Sequence, residues 1–458
     1  MAVITTTTQT QLKSSFIRMD AEFFRPEHVI AYKRIEEISG GNRLRHLCDK
    51  ITQGSNPHFS ETGFPCVNGK NVYFGTMQEG KPNYVSAQEF KRLDGYRLRQ
   101  QDIVVTLKHA TKVGRAWIVE DDKPRVFSRN IGLIRLSKDS DVKASSLLIY
   151  LWTKSGQLCL ERCATGGTSG QITLPIGELK HIPVPLFPEK FQLEIDEMFR
   201  RSRAAALLSE KSYSKAQQLL ESEFGLDEIR FQKPVGYTAR FSEAMTGGRI
   251  DADYFQPQYS VVRALIQAYP GGYEPLLNCA DSLRPNIDPS KAPNHLFNYI
   301  ELSNINASLG IVEGFLPSLG ANLPSRAKRQ VKTGDVIASA VVGSVDKAAI
   351  IAEEQNGFLA STGFFHLRPK SVSPMYLLML VRSQCVRMQF QQQSTGGILS
   401  AVPDSRLKHV IIPKLPVSLQ EEIDNLATKS HLAKHTSDAL LDQAKSSVEQ
   451  LIEEAVKS

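Results

Sequence analysis

Two long stretches of the chain carry the polar and apolar pattern of extended helices. Residues 189–224 and 417–456 contain no proline and almost no glycine, and small or apolar residues recur in both at a spacing of seven. A strict seven-residue period keeps one seam of a helix facing a partner, and a polar helix of this length needs a partner to be stable. The residues predicted to form this seam are Ile195, Ser202, Ser209 and Ala216 in the first helix, and Ile423, Ser430, Ser437 and Ala444 in the second.

The rest of the chain alternates short β-like runs with glycine, proline and asparagine turns. Apolar runs at 103–107, 130–136 and 335–342 predict strands. Longer apolar stretches at 145–163 and 374–390 predict one helix each. This mixture of elements indicates an α+β fold.

The chain also repeats itself. The segment RMDAEFFRPEH at 18–28 returns as RIDADYFQPQY at 249–259. The Thr-Gly-Gly motif at 165–167 returns at 395–397, at nearly the same offset. Offsets this constant across the chain predict a tandem duplication of one unit of about 230 residues.

Each copy is predicted to be a mixed α/β domain followed by a long helix. The duplication gives each helix an obvious partner, so we expect the two to pair as an antiparallel coiled coil. The alternative is two independent amphipathic helices, each packed on its own domain. The predicted boundaries are 1–188 for the first domain, 189–228 for the central helix, 229–416 for the second domain and 417–458 for the C-terminal helix.

Composition narrows the class of protein. The 458 residues are 41% hydrophobic and 22% charged, as in ordinary globular proteins. There is no apolar run long enough to span a membrane, and the polar N-terminus lacks the apolar core of a secretory signal. The six cysteines are too sparse for a disulfide framework. We therefore expect a cytoplasmic protein without a membrane partner.

Catalytic motifs are scarce. Residues 63–71 resemble a phosphate-binding loop, but five residues separate the glycines and Asn71 stands where Mg²⁺ coordination needs Ser or Thr. The Asn-Pro-His-Phe segment at 56–59 resembles an adenine-methyltransferase loop but has the wrong third residue, and a turn is the simpler interpretation. Cys159 and Cys163 have helical spacing without further metal ligands nearby in sequence. The sequence therefore predicts no catalytic, cofactor-binding or metal-binding residue.

The positive charge is concentrated in two places. The net charge of the whole chain is +7, but residues 91–135 alone hold eleven basic and five acidic side chains. The matching region of the second copy, 321–347, holds five basic and two acidic side chains. Clustered cations interleaved with hydrogen-bonding side chains are typical of nucleic-acid-binding proteins.

The ordered motifs resemble those of the DNA-specificity subunits of Type I restriction-modification systems. The resemblance rests on the duplicated unit order and on the Thr-Gly-Gly loop followed by Leu-Lys-His-Ile-Pro-Val-Pro at 179–185. It also rests on the Gln-x-x-Ile-Asp helix starts at 192–196 and 420–424 and on the Gly54-x-x-Pro57 loop. It spans essentially the whole chain.

The chain departs from the family at the helix starts. The usual Pro-x-x-Glu-Gln is here Pro-Glu-Lys-Phe-Gln at 188–192 and Pro-Val-Ser-Leu-Gln at 416–420. This departure leaves the register of the helices open without affecting the order of the units.

The resemblance implies a non-catalytic subunit whose two target-recognition domains each read one half of a bipartite, asymmetric site on double-stranded DNA. The helices would set the spacer between the halves and dock two methyltransferase subunits, which restriction and translocase subunits join. S-adenosylmethionine, Mg²⁺ and ATP would then be bound by those partners, and this chain would bind no cofactor. Base flipping and adenine methylation would take place in a neighbouring subunit.

The residues expected to contact DNA are basic or amide side chains and glycine-rich loops, whose backbone can approach phosphates closely. They are Lys70, Asn71, Arg97, Lys108 and Lys112 in the first domain; Asn304, Arg326, Lys328, Arg329 and Lys347 in the second; and the loop residues Thr165, Gly166, Gly167, Thr395, Gly396 and Gly397.

Two other functions remain open on the sequence. One is a self-contained DNA-modifying enzyme with its own recognition domains, which would need a cofactor or metal motif. The other is a duplicated protein-binding scaffold, against which the strongly basic region at 91–135 argues.

Overall fold

The computed structural model of the chain divides into two units, each of which contains one mixed α/β domain and part of both long helices. The first unit comprises Met1–Ala204 and Thr436–Ser458, and the second comprises Ala205–His435. The structure describes residues 21–72, 83–109, 112–166, 171–225, 236–394 and 401–457.

The first unit contains short helices around three small sheets. Its helices are α1 (Pro26–Ile38), α2 (Ala87–Arg92), α3 (Ala144–Trp152), α4 (Lys154–Cys163), α5 (Ile176–Leu179) and the start of α6 (Glu189–Glu223). Its strands are β1 (Cys48–Gln53), β2 (Phe59–Ser60), β3 (Phe64–Val67), β4 (Asn83–Val85), β5 (Ile103–Thr106), β6 (Lys108–His109), β7 (Ala116–Ile118), β8 (Val126–Phe127), β9 (Ile131–Leu136), β10 (Thr165–Gly166) and β11 (Ile172–Thr173).

The central sheet of the first unit is antiparallel, in the order β1-β9-β5-β7. All four residues of β5 are buried, which accounts for the uninterrupted apolar run that predicts this strand. A second sheet, β2-β4-β3-β8, pairs β3 with β8 in parallel. A third sheet, β10-β11-β6, lies beside them.

The second unit has a similar but not identical order of elements. Its helices are the end of α6, α7 (Phe241–Gly247), α8 (Pro257–Ala268), α9 (Leu276–Cys279), α10 (Pro374–Arg382), α11 (Gln384–Gln392) and the start of α12 (Val417–Lys457). Its strands are β12 (Tyr273–Pro275), β13 (Ala280–Ser282), β14 (Leu296–Ile300), β15 (Ile305–Asn306), β16 (Ile311–Val312), β17 (Leu316–Leu319), β18 (Ala327–Gln330), β19 (Val336–Ser339), β20 (Ala348–Ile350), β21 (Leu359–Ser361), β22 (Phe364–Pro369) and β23 (Ile411–Pro413).

The central sheets of the two units match, and the second sheets share three strands around one parallel pair. The sheet β13-β22-β19-β20 corresponds strand by strand to β1-β9-β5-β7. The sheet β17-β14-β21-β18 again contains one parallel pair, β14 with β21, which corresponds to β3 with β8. Cys66 and Val126 are opposite each other in the first unit, and Tyr299 and Leu359 are opposite each other at the same places in the second.

A buried carboxylate–arginine pair recurs in the two central sheets. Arg135 contacts Asp102 at 2.7 Å, and Arg368 contacts Asp335 at 2.7 Å at the corresponding positions of the second unit. Burial would raise the pKa of Asp335, but hydrogen bonds from His366 and Arg368 outweigh it and lower the pKa to about 2. Each pair joins the start of one strand to the adjacent strand, and a buried carboxylate is tolerated only with such partners.

The two apolar stretches predicted to be single helices are each broken in two. Thr153 separates α3 from α4, and Ser383 separates α10 from α11, both with extended backbone angles. Each hydroxyl then caps the second helix, accepting from the N–H of Gly156 at 3.1 Å and of Val386 at 3.4 Å. The prediction of continuous helices was wrong because apolar periodicity does not reveal a cap within a buried stretch.

The two long helices start where the sequence predicts, α6 at Glu189 and α12 at Val417, and end at Glu223 and Lys457. Residues 226–228 of the predicted central helix and residue 458 lie outside the described residues.

Within each unit, buried serines link the two long helices. In the first unit the Ser202 hydroxyl donates to the Ser437 carbonyl at 3.1 Å. In the second unit the Ser430 hydroxyl donates to the Ser209 carbonyl at 2.8 Å. Ser202 and Ser430 occupy the same position of the two copies, and both are fully buried. A buried hydroxyl without a partner would cost about 1–3 kcal/mol, so these serines require the other helix in contact with them.

The core of each unit is completed by the long helix of the other sequence copy. Ala444, Val448 and Ile452 of α12 are buried in the apolar cluster of the first unit. Ala216 and Leu220 of α6 are buried in that of the second. Each core therefore contains residues of both α6 and α12.

In each unit, a glutamate of one long helix also contacts the N-terminus of a short helix. Glu449 accepts from the N–H of Ser155 at the start of α4, and Glu221 accepts from the N–H of Gln384 at the start of α11, both at 2.7 Å. A carboxylate is stabilised by the unpaired N–H groups and the positive end of the helix dipole. The two glutamates are related by the same sequence offset as the buried serines Ser202 and Ser430.

One turn of the first unit is strained in a way that the second avoids. Gln101 has a φ of 69°, whereas the matching position of the second unit is Gly334, with a φ of 82°. The backbone bond is the same in both: Gln101 N–H donates to Val119 at 2.8 Å, and Gly334 N–H donates to Ile351 at 2.9 Å. A side chain at a left-handed backbone angle destabilises the folded state by about 1–2 kcal/mol. Glycine removes this strain, but it also gives the unfolded chain more conformational freedom, so the net stabilisation is smaller.

We expect Gln101→Gly to raise the free energy of unfolding by about 0.5–1 kcal/mol because it removes this strain. Urea denaturation of the full chain measures the change. The reciprocal variant, Gly334→Gln, should lower the stability by about 1 kcal/mol. A loss of stability in Gln101→Gly would contradict this interpretation of the turn.

Candidate nucleic-acid interface

The loops that follow the parallel strands β3 and β8 meet at one end of the first unit. The Ser128 N–H donates to the Val67 carbonyl at 2.9 Å, which places the residues after each strand side by side. The loop after β1 joins them, because Ser55 bridges to Ser128 and Gln53 Nε2 donates to the Arg129 carbonyl at 2.7 Å. We call residues 53–56, 68–71 and 128–130 the carboxyl-end loops of the first unit.

Strand β6 lies against these loops. The Leu107 N–H donates to the Asn130 carbonyl at 2.8 Å. A Cβ at Gly69 would lie 3.6 Å from the Lys108 carbonyl oxygen and 3.9 Å from the Asn130 Cβ. Gly69 is therefore the point at which the loop after β3, strand β6 and the loop after β8 come together.

The same end of the unit includes the described part of the Thr-Gly-Gly loop. Lys108 on β6 is opposite Thr173 on β11, and Thr173 is opposite Thr165 on β10. Lys70 and Gly166 are exposed. Five predicted contact positions that are far apart in sequence, Lys70, Asn71, Lys108, Thr165 and Gly166, are thus brought together around these strands.

Two other predicted cations of the first unit have partners of their own. Arg97 lies across from Val126 at the opposite end of β8, where its guanidinium is 3.0 Å from Asp94 and 4.5 Å from the Phe90 ring centre. Lys112 lies 3.4 Å from Glu161. The structure therefore separates Arg97 from the carboxyl-end loops, although Arg97 and the loop at 128–130 both belong to the basic part of the sequence.

The two predicted asparagines hold equivalent turns. Asn71 is 5% exposed, and its Oδ1 accepts from the Asn68 N–H at 3.0 Å. At the corresponding position of the second unit, Asn304 Oδ1 accepts from the Glu301 N–H at 2.9 Å. Both amide oxygens are used within the fold, so a role of these side chains in reading bases remains a prediction.

In the second unit the predicted cations divide into internal and exposed ones. Arg329 is 3% exposed and lies 2.8 Å from Asp404. Lys347 donates to the Leu302 carbonyl at 2.8 Å. Arg326 is exposed and Lys328 is partly exposed, so these two remain the more accessible candidates.

The internal role of Lys347 has a counterpart in the first unit. Arg115, the matching cation, donates to the Gly69 carbonyl at 2.9 Å. Gly69 and Leu302 occupy the same position of the two copies, so each cation holds the loop that follows the first of the parallel strands.

The remaining predicted contacts, Gly167 and Thr395–Gly397, lie outside the described residues. The segment just before the second Thr-Gly-Gly motif is held by the repeated motif at 249–259. Arg249 pairs with Asp251 at 2.6 Å and donates to the Ser394 carbonyl at 2.6 Å. In the second unit, this contact joins the Arg-x-Asp-Ala motif to the segment that leads into the Thr-Gly-Gly motif.

The structure adds residues to the interface that the sequence did not single out. Arg129 is exposed beside Ser128 and Asn130 on the loop after β8. Two buried polar atoms next to it, Asn68 Nδ2 and Ser128 Oγ, have no hydrogen-bond partner among the described residues. Arg129 belongs to the basic region of the sequence. Only the three-dimensional structure reveals its position between a buried strand and two turn residues.

Electrostatics at the same place favour a neutral imidazole. Burial, together with the nearby Arg115 guanidinium, lowers the pKa of His109 below its ordinary value. A neutral imidazole can donate a hydrogen bond from one ring nitrogen and accept one at the other.

The loop after β1 is fixed at both of its ends. Gly54 has no room for a side chain, because a Cβ would lie 2.3 Å from the Ser128 carbonyl oxygen. The His58 N–H donates to Glu89 at 2.9 Å. Hydrogen bonds from Arg92 and from this N–H lower the pKa of Glu89 to about 2.

Among the described residues, no group of three or more His, Cys, Asp or Glu side chains has the arrangement of a metal site. A search of the same residues finds no helix with the length and apolar character needed to cross a membrane.

Comparison with protein-family models and with curated proteins found no match. Among solved structures, the chain is similar to the Type I restriction-modification S subunit from M. genitalium, with 13% identity, a TM-score of 0.43, and coverage of 91% of this chain and 94% of that one. It is also similar to the HsdS subunit from Thermoanaerobacter tengcongensis, with 14% identity, a TM-score of 0.27 and coverage of 91% and 95%. A third similar chain, from a structure of Type I restriction-modification complex assembly, has 15% identity, a TM-score of 0.28 and coverage of 91% and 96%.

We expect Gly54→Ala to lower the free energy of unfolding by about 1–3 kcal/mol, the range for overpacking a buried site, because the new methyl group would collide with the loop after β8. Urea denaturation measures the loss. Gly95→Ala is the matched control, since a Cβ there meets no atom within 4 Å, and it should change the stability by less than about 0.5 kcal/mol. Equal effects of the two substitutions would mean that the loop moves freely away from Ser128.

Proposed function

We propose that this chain is the DNA-specificity subunit of a Type I restriction-modification system, in which each recognition domain reads one half of a bipartite, asymmetric site. The observation that carries the proposal is that the two units share their buried contacts but differ in the side chains at their loop ends. The pairs Asp102–Arg135 and Asp335–Arg368 share their geometry. At the exposed ends of the same scaffold, cations in one copy are replaced by neutral residues in the other. Two different half-sites require this combination of one scaffold and two reading surfaces.

The proposal includes a tandem duplication and an antiparallel pairing of α6 with α12. Hydrogen bonds that recur at nearly constant sequence offsets support the duplication. The seam serines support the pairing, because Ser202 contacts Ser437 while Ser209 contacts Ser430, so the contact moves forward along one helix and backward along the other.

In this proposal the long helices act as the spacer and as the docking surface for two methyltransferase subunits. A helix of 35 residues spans roughly 50 Å at about 1.5 Å per residue. S-adenosylmethionine, Mg²⁺ and ATP would be bound by the methyltransferase, restriction and translocase subunits. The specificity subunit itself would bind DNA and partner proteins and would catalyse no reaction.

The function is tested by DNA binding at several salt concentrations and by mapping methylated adenines. We expect the affinity of the full chain for duplex DNA to fall by orders of magnitude between 50 and 200 mM salt, because Lys and Arg contacts to phosphates release counterions. Co-expression with its genomic neighbours should produce adenine methylation at one bipartite motif, and omission of this chain should abolish it.

The two alternatives give different results in the same experiments. A self-contained modifying enzyme would methylate DNA without any partner subunit. A duplicated protein-binding scaffold would show no steep dependence of DNA binding on salt and would not change the methylation pattern.

The spacer role predicts the effect of removing one seven-residue repeat from each helix. Deleting 203–209 and 430–436 together preserves the seam. After the deletions, Ser202 and Ala216 are separated by one seven-residue repeat, and so are Ile423 and Ser437. Each helix becomes about 10 Å shorter, which corresponds to roughly three base pairs. The methylated motif should keep both half-sites but have a spacer shorter by about three base pairs.

The control is Ser209→Ala combined with Ser430→Ala, which removes a seam contact without changing the helix length. Its methylated motif should keep the original spacer. An unchanged spacer in the deletion variant, with methylation retained, would rule out the helices as the element that sets the distance.

A further inference from the structure

The two units can be compared residue by residue around the carboxyl-end loops, because the backbone bonds there are the same. The Leu107 N–H donates to Asn130 and the Ala340 N–H donates to Gly363, at 2.8 and 2.9 Å. The carbonyl of Leu107 accepts from Leu174 at 2.7 Å, and that of Ala340 accepts from Val402 at 2.8 Å. Lys108 therefore corresponds to Val341.

Two more correspondences follow from the parallel strands and the turn beside them. Phe127 and Ala360 are opposite Val67 and Ile300, so the exposed Arg129 corresponds to Thr362.

The turn after the first strand of each pair gives the third correspondence. Asn71 and Asn304 cap this turn in the same way, so the exposed Lys70 corresponds to Ser303. All three correspondences share one and the same sequence offset.

At these three positions the first unit has a cation and the second has none. Lys70, Lys108 and Arg129 are replaced by Ser303, Val341 and Thr362. Elsewhere in the same scaffold the charge is kept, as with Arg115 and Lys347, which donate to equivalent carbonyls. Arg115 and Lys347 bind internal carbonyls, whereas Lys70 and Arg129 are exposed on the carboxyl-end loops and Lys108 is partly exposed on β6.

The three cations are grouped, and no ion pair within the described part of the chain neutralises them. Gly69 precedes Lys70 and lies against both the Lys108 carbonyl and Asn130, the neighbour of Arg129. The buried Asn68 Nδ2 and Ser128 Oγ, which have no partner among the described residues, lie beside the same group. Unpaired buried polar atoms beside clustered cations favour a polar, anionic ligand at this place.

Resting on the proposed function, we propose that Lys70, Lys108 and Arg129 form a cationic DNA-contact surface that exists in the first unit only. The first half-site is bound with three charged contacts to phosphates or guanine edges. The second half-site is bound at the same places with short polar and apolar side chains, for which thymine methyl groups and base edges are the matching partners. The two halves of the site therefore differ in their electrostatic contribution as well as in their sequence.

The test exchanges the three positions between the units in the full chain and measures binding to a 40-base-pair duplex by fluorescence anisotropy at 50–300 mM KCl. K70S/K108V/R129T should reduce the slope of log affinity against log salt by about 2 to 3, since each phosphate contact contributes about 0.9. The reciprocal S303K/V341K/T362R should steepen the slope by a similar amount.

A matched control removes the same charge elsewhere in the first unit. Lys138, Lys180 and Lys190 are exposed and lie outside the carboxyl-end loops. K138S/K180S/K190S should leave the slope within about 0.5 of the unchanged chain, because counterion release counts contacts and not net charge. An equal loss of slope in both triple variants would overturn the proposal.

Mapping methylated adenines with the partner subunits gives a second readout. K70S/K108V/R129T should weaken discrimination in one half-site by about tenfold or more and leave the other half-site unchanged. The reciprocal variant should change only the other half-site.

Folding is checked from melting curves. If the triple variant does not fold, the single variants K70S and R129T, both at exposed positions, must each reduce the slope by about 0.9.

The outcomes separate this proposal from the proposed function. If the unchanged chain shows no salt-dependent binding and directs no methylation, the proposed function is wrong and this inference falls with it. If the unchanged chain directs a bipartite motif but the exchanges alter neither slope nor motif, only the assignment of the three cations is wrong.

Discussion

The structure depends on two cores, each of which is built with residues from both long helices. In the first unit part of the core is supplied by Ala444, Val448 and Ile452, from the helix that ends the second copy. In the second unit it is supplied by Ala216 and Leu220, from the helix that ends the first. A long amphipathic helix must bury its apolar seam, and here each helix does so partly in its own unit and partly in the other. The stability of both α/β domains is thereby tied to the integrity of both helices.

This constraint separates the parts of the molecule that must stay the same from those that can vary. Buried polar groups need partners of fixed geometry, so Asp102–Arg135 and Asp335–Arg368 are retained almost unchanged. Side chains at the loop ends have no such requirement. The exposed surface can therefore differ between the two units while the central sheets beneath it keep the same strand order.

The basic side chains also divide into those that hold the fold together and those that are exposed at its surface. Arg115, Arg329 and Lys347 are cations that bind carbonyls or a carboxylate inside the fold, and they stabilise the scaffold. Lys70 and Arg129 are exposed at the end of the parallel strands. Counting basic residues in a stretch of sequence combines these two groups, so the count alone does not separate an exposed surface from cations that hold the fold together.

The sequence by itself determined the periodic features: the two long helices, the short buried strands and the constant offset at which motifs recur. These follow from local spacing, which is written directly in the chain. Only the tertiary structure decided that Thr153 and Ser383 interrupt apolar stretches, that the Asn71 and Asn304 amides cap turns, and that each core takes a helix from the other copy. Each of these depends on which atoms meet across long separations in sequence, and a hydrogen bond or a packed face is specified by both partners together.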